Sequence, residues 1–550
     1  MGVITEKSPA QEVEPSLPGS SDSMDPESRL PTATVGQNQV RRSLTTRHIQ
    51  MIAIGSNIGT GLFIGMGAGL KNGGPAALII AFSLISVVIY LMMSSLAEIG
   101  IHYPVSGSFV SYASRFVDPA VGFAVGWQYW GAWVAVFVVE SAAFNVIIGY
   151  WGDHIPIGAT IAIFCVITCV INFLPVRVFG EVEFYVSSLK IIAVVGFMIV
   201  GFVLIGGGGP KGEPHTGEYW IDPGAFAHGF HGQAAIFVTA AFACGGTEIV
   251  GIVAGESAAP RHHLPRATRT VWVRIIVFYV ITAAIITILV PYTDPNLLGG
   301  NDVNASPFII AIRKAGIKVL PHILNAVILV CVTSVGTSSL YASVRMLMHL
   351  SSNGMAPRFL GRVDSMGRPI TALILTSVVG MGLSFLNISN TGAKIFGWFS
   401  SLSGTGFFIF WMTIFVSNWR WRVAQQVQGR DIISEEPYSY RQLGYPWAPL
   451  FGFTAVLFIL LCNGYTSIDP IAGEAGATTF FANYLGVPVL IVMWAGWKLW
   501  HRTWWFFVKP ETVDLDTDRR VLKDHPEEER ILEEYRSQTR GKRILSYFNI

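Results

Sequence analysis

Charge is scarce in this sequence. Asp, Glu, Lys and Arg make up 13% of its 550 residues and hydrophobic residues 51%, with a mean hydropathy of +0.50. No soluble core can hide that much apolar surface, so the composition predicts an all-α integral membrane protein with many spans. The formal net charge of +2 carries no signal for a nucleic-acid partner, and in a membrane chain the placement of Lys and Arg around the spans matters more than their sum. Cysteine is sparse as well. Cys165, Cys169, Cys244, Cys331 and Cys462 all lie within apolar runs, the pattern of small buried hydrophobes, which suggests no disulfide framework and no metal cluster. No span brings a nucleophile, a base and an orienting group together at helical spacing, so neither an enzyme nor a cofactor is expected. A cleavable signal peptide needs an apolar core close behind a basic start, and none stands before Ile49. The first hydrophobic helix is therefore expected to act as the insertion signal.

Long apolar runs dominate what remains. Residues 1–46 are rich in Pro, Ser, Glu and Thr and have no apolar period, which predicts a disordered cytoplasmic tail. Between residues 47 and 502, apolar segments of about 20 residues, each able to cross a bilayer, alternate with short polar ones. They fall at 48–69, 75–99, 120–149, 156–174, 183–207, 231–255, 269–291, 320–349, 369–386, 392–417, 446–463 and 480–501, twelve spans in all. Residues 503–550 form a C-terminal tail. An even number of spans puts both termini on one side. Loops and span ends there carry fourteen arginines, from Arg115 to Arg441, against Lys71, Lys211, Arg313, Lys314, Lys318 and Lys394 opposite. That asymmetry predicts a cytoplasmic location for both termini.

The first and sixth spans depart from a plain membrane helix. Met51–Gly69 carries six glycines and the polar pair Ser56-Asn57, and the sixth span places Gly245-Gly246-Thr247-Glu248 inside an apolar run. Backbone freed from its helix at membrane depth is tolerated only where protein or a water-filled cavity satisfies it. Two breaks, one at the start of each five-span block, predict a 5+5 inverted repeat with helices 1 and 6 broken, two C-terminal helices, and a transport site at the midplane. Amide N–H groups at one half-helix start attract an anion, and carbonyls at the other end attract a cation. Together they suit a zwitterion. Gly65 and Gly69 read as helix-packing positions. Gly59-Thr60-Gly61 read as part of the site, because close packing has no need of the adjacent polar residues.

Ionisable residues within spans are costly and are functional candidates by default. They are Glu140, Lys190 and Glu248. Desolvation disfavours a charged lysine, so Lys190 is a candidate proton switch, with a static buried ion pair as the alternative. Glu98 and Arg345 stand nearer span ends, where snorkelling or an interfacial ion pair is expected.

These residues carry a family resemblance. Gly55-Ser-Asn-Ile-Gly-Thr-Gly-Leu-Phe63, Gly126-Trp-Gln-Tyr-Trp130 with Glu140, Gly246-Thr-Glu248 with Ala254-Gly-Glu256 and Pro265-Arg266, Ser338-Ser-Leu-Tyr-Ala-Ser-Val-Arg-Met346 running on to Gly354-Met-Ala-Pro-Arg358, and Val513-Asp-Leu-Asp-Thr-Asp-Arg519 together resemble the yeast amino-acid transporter family. These are fungal plasma-membrane permeases of the amino acid–polyamine–organocation superfamily. The resemblance covers about residues 40 to 520. It implies ten core helices plus two and import of amino acids with protons by alternating access; a non-transporting amino-acid sensor of the same fold is the alternative. By position, the amides of Gly59, Thr60 and Gly61 would hold the substrate carboxylate, with Ser56, Asn57 and Ile58 beside them. Carbonyls of Ala243, Cys244 and Gly245 would receive the amine, next to Glu248. Glu140 would influence amine recognition, Lys190 would couple the proton, and Ser401 and Ser403 would help set side-chain selectivity.

The chain also departs from that family. Ser56-Asn57 replaces the usual Gly-Thr and puts extra hydrogen-bonding side chains at the break. The loop Arg261-His-His-Leu-Pro265 carries a histidine pair, expected to be solvated. The end Tyr547-Phe-Asn-Ile550 lacks the aromatic-Cys signal of many relatives, so no lipid anchor is expected. Lys7 is the one lysine of the N-terminal tail, and the resemblance implies a ubiquitin-ligase adaptor acting on such tails. Glu527–Tyr535 reads as a solvated charged tail, with a short amphipathic helix as the alternative.

Overall fold

A computed structural model describes residues 58–538, apart from 106, 153–154, 255–256, 258, 298–305, 389–391 and 472–475. The helices are α1 (61–73, opening in the π-helical turn Gly61–Gly65), α2 (75–100), α3 (108–117), α4 (Pro119–Ile148), α5 (Ile157–Phe173), α6 (Val176–Ile205), α7 (Gly229–Cys244), α8 (Ile249–Ala254), α9 (Pro260–Leu289), α10 (Pro307–Lys314), α11 (Leu320–Ser352), α12 (Ile370–Ser384), α13 (Gly392–Val427), α14 (Trp447–Ile468), α15 (Ala477–Tyr484), α16 (Gly486–His501) and α17 (Pro526–Ser537). Nine helices among the described residues are long and apolar enough to cross a membrane, the first of them bent at Gly74. Each apolar segment expected from residue 75 onward is occupied by helix.

Local chemistry sets the ends. Asp118 caps α4 by accepting the Ala120 N–H at 3.2 Å, and Pro119 follows at the first helical position, where its missing N–H costs nothing. Between α1 and α2 the backbone of Gly74 takes φ +83°, and the turn is tied down by Ala227 N–H to Gly73 O at 2.8 Å and Ala76 N–H to Ala225 O at 2.9 Å. The sixth span is broken where the sequence places the break. α7 stops at Cys244, Gly245 is extended, Gly246 adopts φ +80°, and α8 starts at Ile249. In the first span Ile58 and Gly59 are not helical and helix begins at Thr60. Ser56 and Asn57 lie outside the described residues.

α4, α7 and α8 are the most enclosed, whereas α6, α12 and α14 keep broad apolar faces outward. Helices apolar all round suit a bundle in lipid. Where α1 crosses α7, Gly61 meets Ala243 so closely that a Cβ on Gly61 would overlap the Ala243 backbone. The same added atom at Gly65 would make an ordinary contact, 3.4 Å from Thr239. Of Gly61, Gly65 and Gly69, Gly61 makes the closest approach.

The face bearing the C-terminal segment is held by ion pairs. Glu98, fully buried at the end of α2, receives the Arg422 guanidinium, the Asn418 amide at 2.8 Å and the Gln442 N–H at 2.8 Å. This matches the ion pair expected of a residue near a span end. Arg345 stacks over the Tyr341 ring at 5.1 Å. Burial, and then the nearby Arg261 and Arg519, push the His102 imidazole down to about 3.

Two expectations are corrected here. Glu527–Tyr535 is not a solvated tail: it lies in α17, which buries Leu532 and seats Glu528 against the Arg261 N–H at 2.9 Å and the Arg520 guanidinium at 2.8 Å. A buried carboxylate needs such partners, and residues far away in sequence supply them. The histidine pair is not a solvated loop either. It sits in the first turns of α9, with His263 Nδ1 2.6 Å from Ser257 Oγ and the His262 ring 4.7 Å from that of Tyr535.

Gly61→Ala is predicted to lower the thermal midpoint of the detergent-solubilised protein, at a cost of about 1–3 kcal/mol for overpacking. Gly131→Ala, on α4 with nothing within 4 Å of the added atom, should leave the midpoint unchanged or raise it.

Candidate functional site

The site forms where the start of α1 meets the break between α7 and α8. Ile58, Thr60 and Gly61 are buried there, and Gly59 is held by Val335 of α11, whose Cγ2 would stand 2.6 Å from a Cβ on Gly59. The Thr60 hydroxyl donates to Glu140 Oε1 on α4 at 2.6 Å. Glu140 Oε2 is buried with no hydrogen-bond partner among the described residues. On the other side Ala243 and Cys244 form the last turn of α7. A helix end leaves its final four carbonyls without helical partners, and the extended Gly245 prevents continuation. The opposed ends thus bring amides and carbonyls to one buried place, as a zwitterion requires.

Glu248, in the break itself, is fully buried and accepts the Trp411 indole N–H from α13 at 3.4 Å. Its Oε1 has no described partner, nor has the Thr247 hydroxyl, and the Tyr129 hydroxyl has only the Trp133 indole N–H beside it. Buried polar atoms are nearly always satisfied. A group of them unsatisfied beside two helix breaks marks a place suited to a polar ligand or water. Aromatic rings enclose it. Phe407 of α13 packs so tightly on Gly245 that no side chain fits there, and its ring lies 6.0 Å from Trp133.

Lys190, fully buried on α6, pairs with Glu183. Its Nζ is 3.5 Å from Glu183 Oε1. Ser187 donates to the same oxygen at 3.2 Å, and Ser334 of α11 donates to Oε2 at 2.6 Å. Sequence reasoning missed Glu183 because the span was started on that residue. The signal was present, since positions i, i+4 and i+7 share one helix face. Phe407, Trp133 and Trp411 were missed because aromatic residues in apolar helices read as packing.

Ser401 and Ser403 are separated by the fold. Ser401 lines a cleft of about 280 Å³ between α1, α7, α13 and α14, together with Asn72, Thr239, Phe242 and Asn463. Ser403 is buried and donates to the Ala132 carbonyl at 3.1 Å and the Phe399 carbonyl at 2.9 Å. The cleft opens towards the Gly74 turn and the α14–α15 connection. It reaches Phe242, the residue before Ala243.

A double-mutant cycle tests the Thr60–Glu140 bond. Thr60→Val and Glu140→Met should couple in thermal stability by about 0.5–1.5 kcal/mol, the worth of a buried hydrogen bond. Additive effects would show that the bond contributes nothing.

The family model described as amino acid permease matches residues 48–509. The chain is 42% identical over 501 residues to the amino-acid permease GAP5 of Candida albicans, covering 90% of this chain and 80% of that one. It is 43% identical over 484 residues to the general amino-acid permease GAP2 of the same organism, covering 88% and 82%. With the histidine permease of Saccharomyces cerevisiae the identity is 40% over 499 residues, covering 89% and 82%. The chain belongs to the amino acid permease family of multi-pass membrane proteins.

Proposed function

We propose that this protein is a proton-coupled secondary active transporter that imports L-amino acids across the plasma membrane by alternating access, with both termini in the cytoplasm. The observation that carries the proposal is the opposition of a helix start and a helix break, Ile58–Gly61 against Ala243–Glu248, with buried unsatisfied polar atoms beside them. In this reading the amides of Gly59, Thr60 and Gly61 hold the carboxylate, with Ser56 and Asn57 adjacent, and the carbonyls of Ala243, Cys244 and Gly245 take the amine. Glu140 and Glu248 set the local charge, and Ser401 meets the substrate in the outer cleft. Ser403 acts through its grip on the α4 backbone. Lys190 carries the coupled proton.

An arrangement of twelve spans with a 5+5 inverted repeat is supported by details beyond the paired breaks. In each half the second span is followed by a short helix, α3 after α2 and α10 after α9. The third spans of the two halves, α4 and α11, pack extensively on one another. Names of relatives support amino acids as the substrate class and favour a transporter over a sensor or an enzyme. Arginine placement supports the orientation, and Lys7 on the N-terminal tail is the proposed ubiquitin acceptor when an adaptor brings a ubiquitin ligase to the cytoplasmic tails.

Proteoliposomes containing the purified protein should accumulate a labelled L-amino acid when an inward proton gradient is imposed, and should stop when a protonophore collapses it. Lys190→Ala should abolish accumulation. Binding without accumulation in the wild type would replace the transporter by a sensor, and gradient-driven uptake by Lys190→Ala would remove the lysine from the proton path.

A further inference from the structure

We infer that Glu183 is the inward proton acceptor of Lys190, an inference that rests on the proton coupling through Lys190 proposed above. Both side chains are buried within α6, with 0% of Lys190 and 2% of Glu183 exposed and 3.5 Å between Nζ and Oε1. Two charges at membrane depth are expensive, and mutual attraction only partly offsets their desolvation. Transfer of one proton removes both charges. The Nζ–H bond breaks with its electron pair left on nitrogen, an Oε1–H bond forms, and an ion pair becomes a neutral amine beside a neutral acid. The hydroxyls of Ser187 and Ser334 hold the carboxylate in place before the transfer.

Position gives the step a direction. α6 starts at Val176, next to the arginine-rich side, so the Cα of Glu183 stands about 10 Å nearer the cytoplasmic end than that of Lys190, seven residues at about 1.5 Å each. A proton that reaches Lys190 from outside moves inward by passing to Glu183, which then releases it to water on the cytoplasmic side.

One contact ties this step to the substrate cradle. Ser334, which donates to Glu183, is followed in α11 by Val335, which packs on Gly59. A ligand seated on the Gly59–Gly61 amides therefore bears on the same turn of helix that orients the acceptor. The other titratable groups around the pair are Glu140 on α4 and Cys331 on α11. From the neighbouring helices, α5 brings only Cys165 and Cys169, and the stretch of α9 from 276 to 289 only Tyr279.

The test compares wild type, Glu183→Gln and the double variant Glu183→Gln/Lys190→Gln in proteoliposomes with a pH-sensitive dye inside. Accumulation of labelled amino acid under an inward proton gradient and exchange of labelled for unlabelled substrate without a gradient are both measured. In Glu183→Gln, accumulation and substrate-dependent internal acidification should fall about a hundredfold, the scale expected for loss of a proton-transfer group. The double variant removes any penalty of an unpaired lysine and should exchange substrate without moving protons. Wild-type acidification by Glu183→Gln or by the double variant would overturn the assignment. So would loss of exchange in the double variant, which would make the pair a structural brace. If the wild type itself moves substrate without protons, proton coupling fails first, and that result is separate from any difference between variants.

Discussion

Backbone amides and carbonyls inside a bilayer must find partners within the protein, because no water is there to solvate them. Among the described residues the structure departs from continuous helix before Thr60 and between Cys244 and Ile249. Everything distinctive about the molecule surrounds those departures. α4 brings Glu140 to Thr60, α11 lays Val335 on Gly59, and α13 closes Phe407 over Gly245 and points Trp411 at Glu248. The helices that expose most apolar surface lie away from the breaks.

Charge placement follows the same division. Glu98 with Arg422, and Glu528 with Arg261 and Arg520, are multiply bonded and lie on the face that carries the C-terminal segment. Breaking such a pair leaves a buried charge without compensation, so these pairs act as fasteners among α2, α9, α13 and α17. Glu140 and Glu248 differ, since each keeps one carboxylate oxygen without a described partner. The Lys190–Glu183 pair stands between the two types: it is buried and hydrogen-bonded like a fastener, yet its contact is intrahelical, and Ser334 ties it to α11.

How much of this could be read in the sequence depended on whether local pattern and long-range contact agreed. The break at Gly245–Glu248 was legible because adjacent glycines and an acid inside an apolar run have no comfortable place in a lipid-facing helix. Gly61 was legible as part of the site but not as the closest helix contact, because its neighbour Ala243 is supplied by another helix. The family resemblance implies one role for Ser401 and Ser403, yet residues two apart on a helix face different ways. One meets the cleft and the other the α4 backbone. The C-terminal helix was illegible for a deeper reason. A charged amphipathic stretch looks the same whether solvated or docked, and only Arg261, 267 residues before Glu528, decides between them. Ser56 and Asn57, the departure from the family pattern, lie just before the first described residue.

The central claim is that the two helix breaks bind the two ends of an amino acid. A cryo-electron-microscopy structure of the protein with a bound L-amino acid tests it most directly. The account predicts the substrate carboxylate within hydrogen-bonding distance of the Gly59, Thr60 and Gly61 amides and the ammonium against the Ala243, Cys244 and Gly245 carbonyls. A substrate seated only in the outer cleft beside Ser401 and Asn463, with neither end at a break, would contradict it.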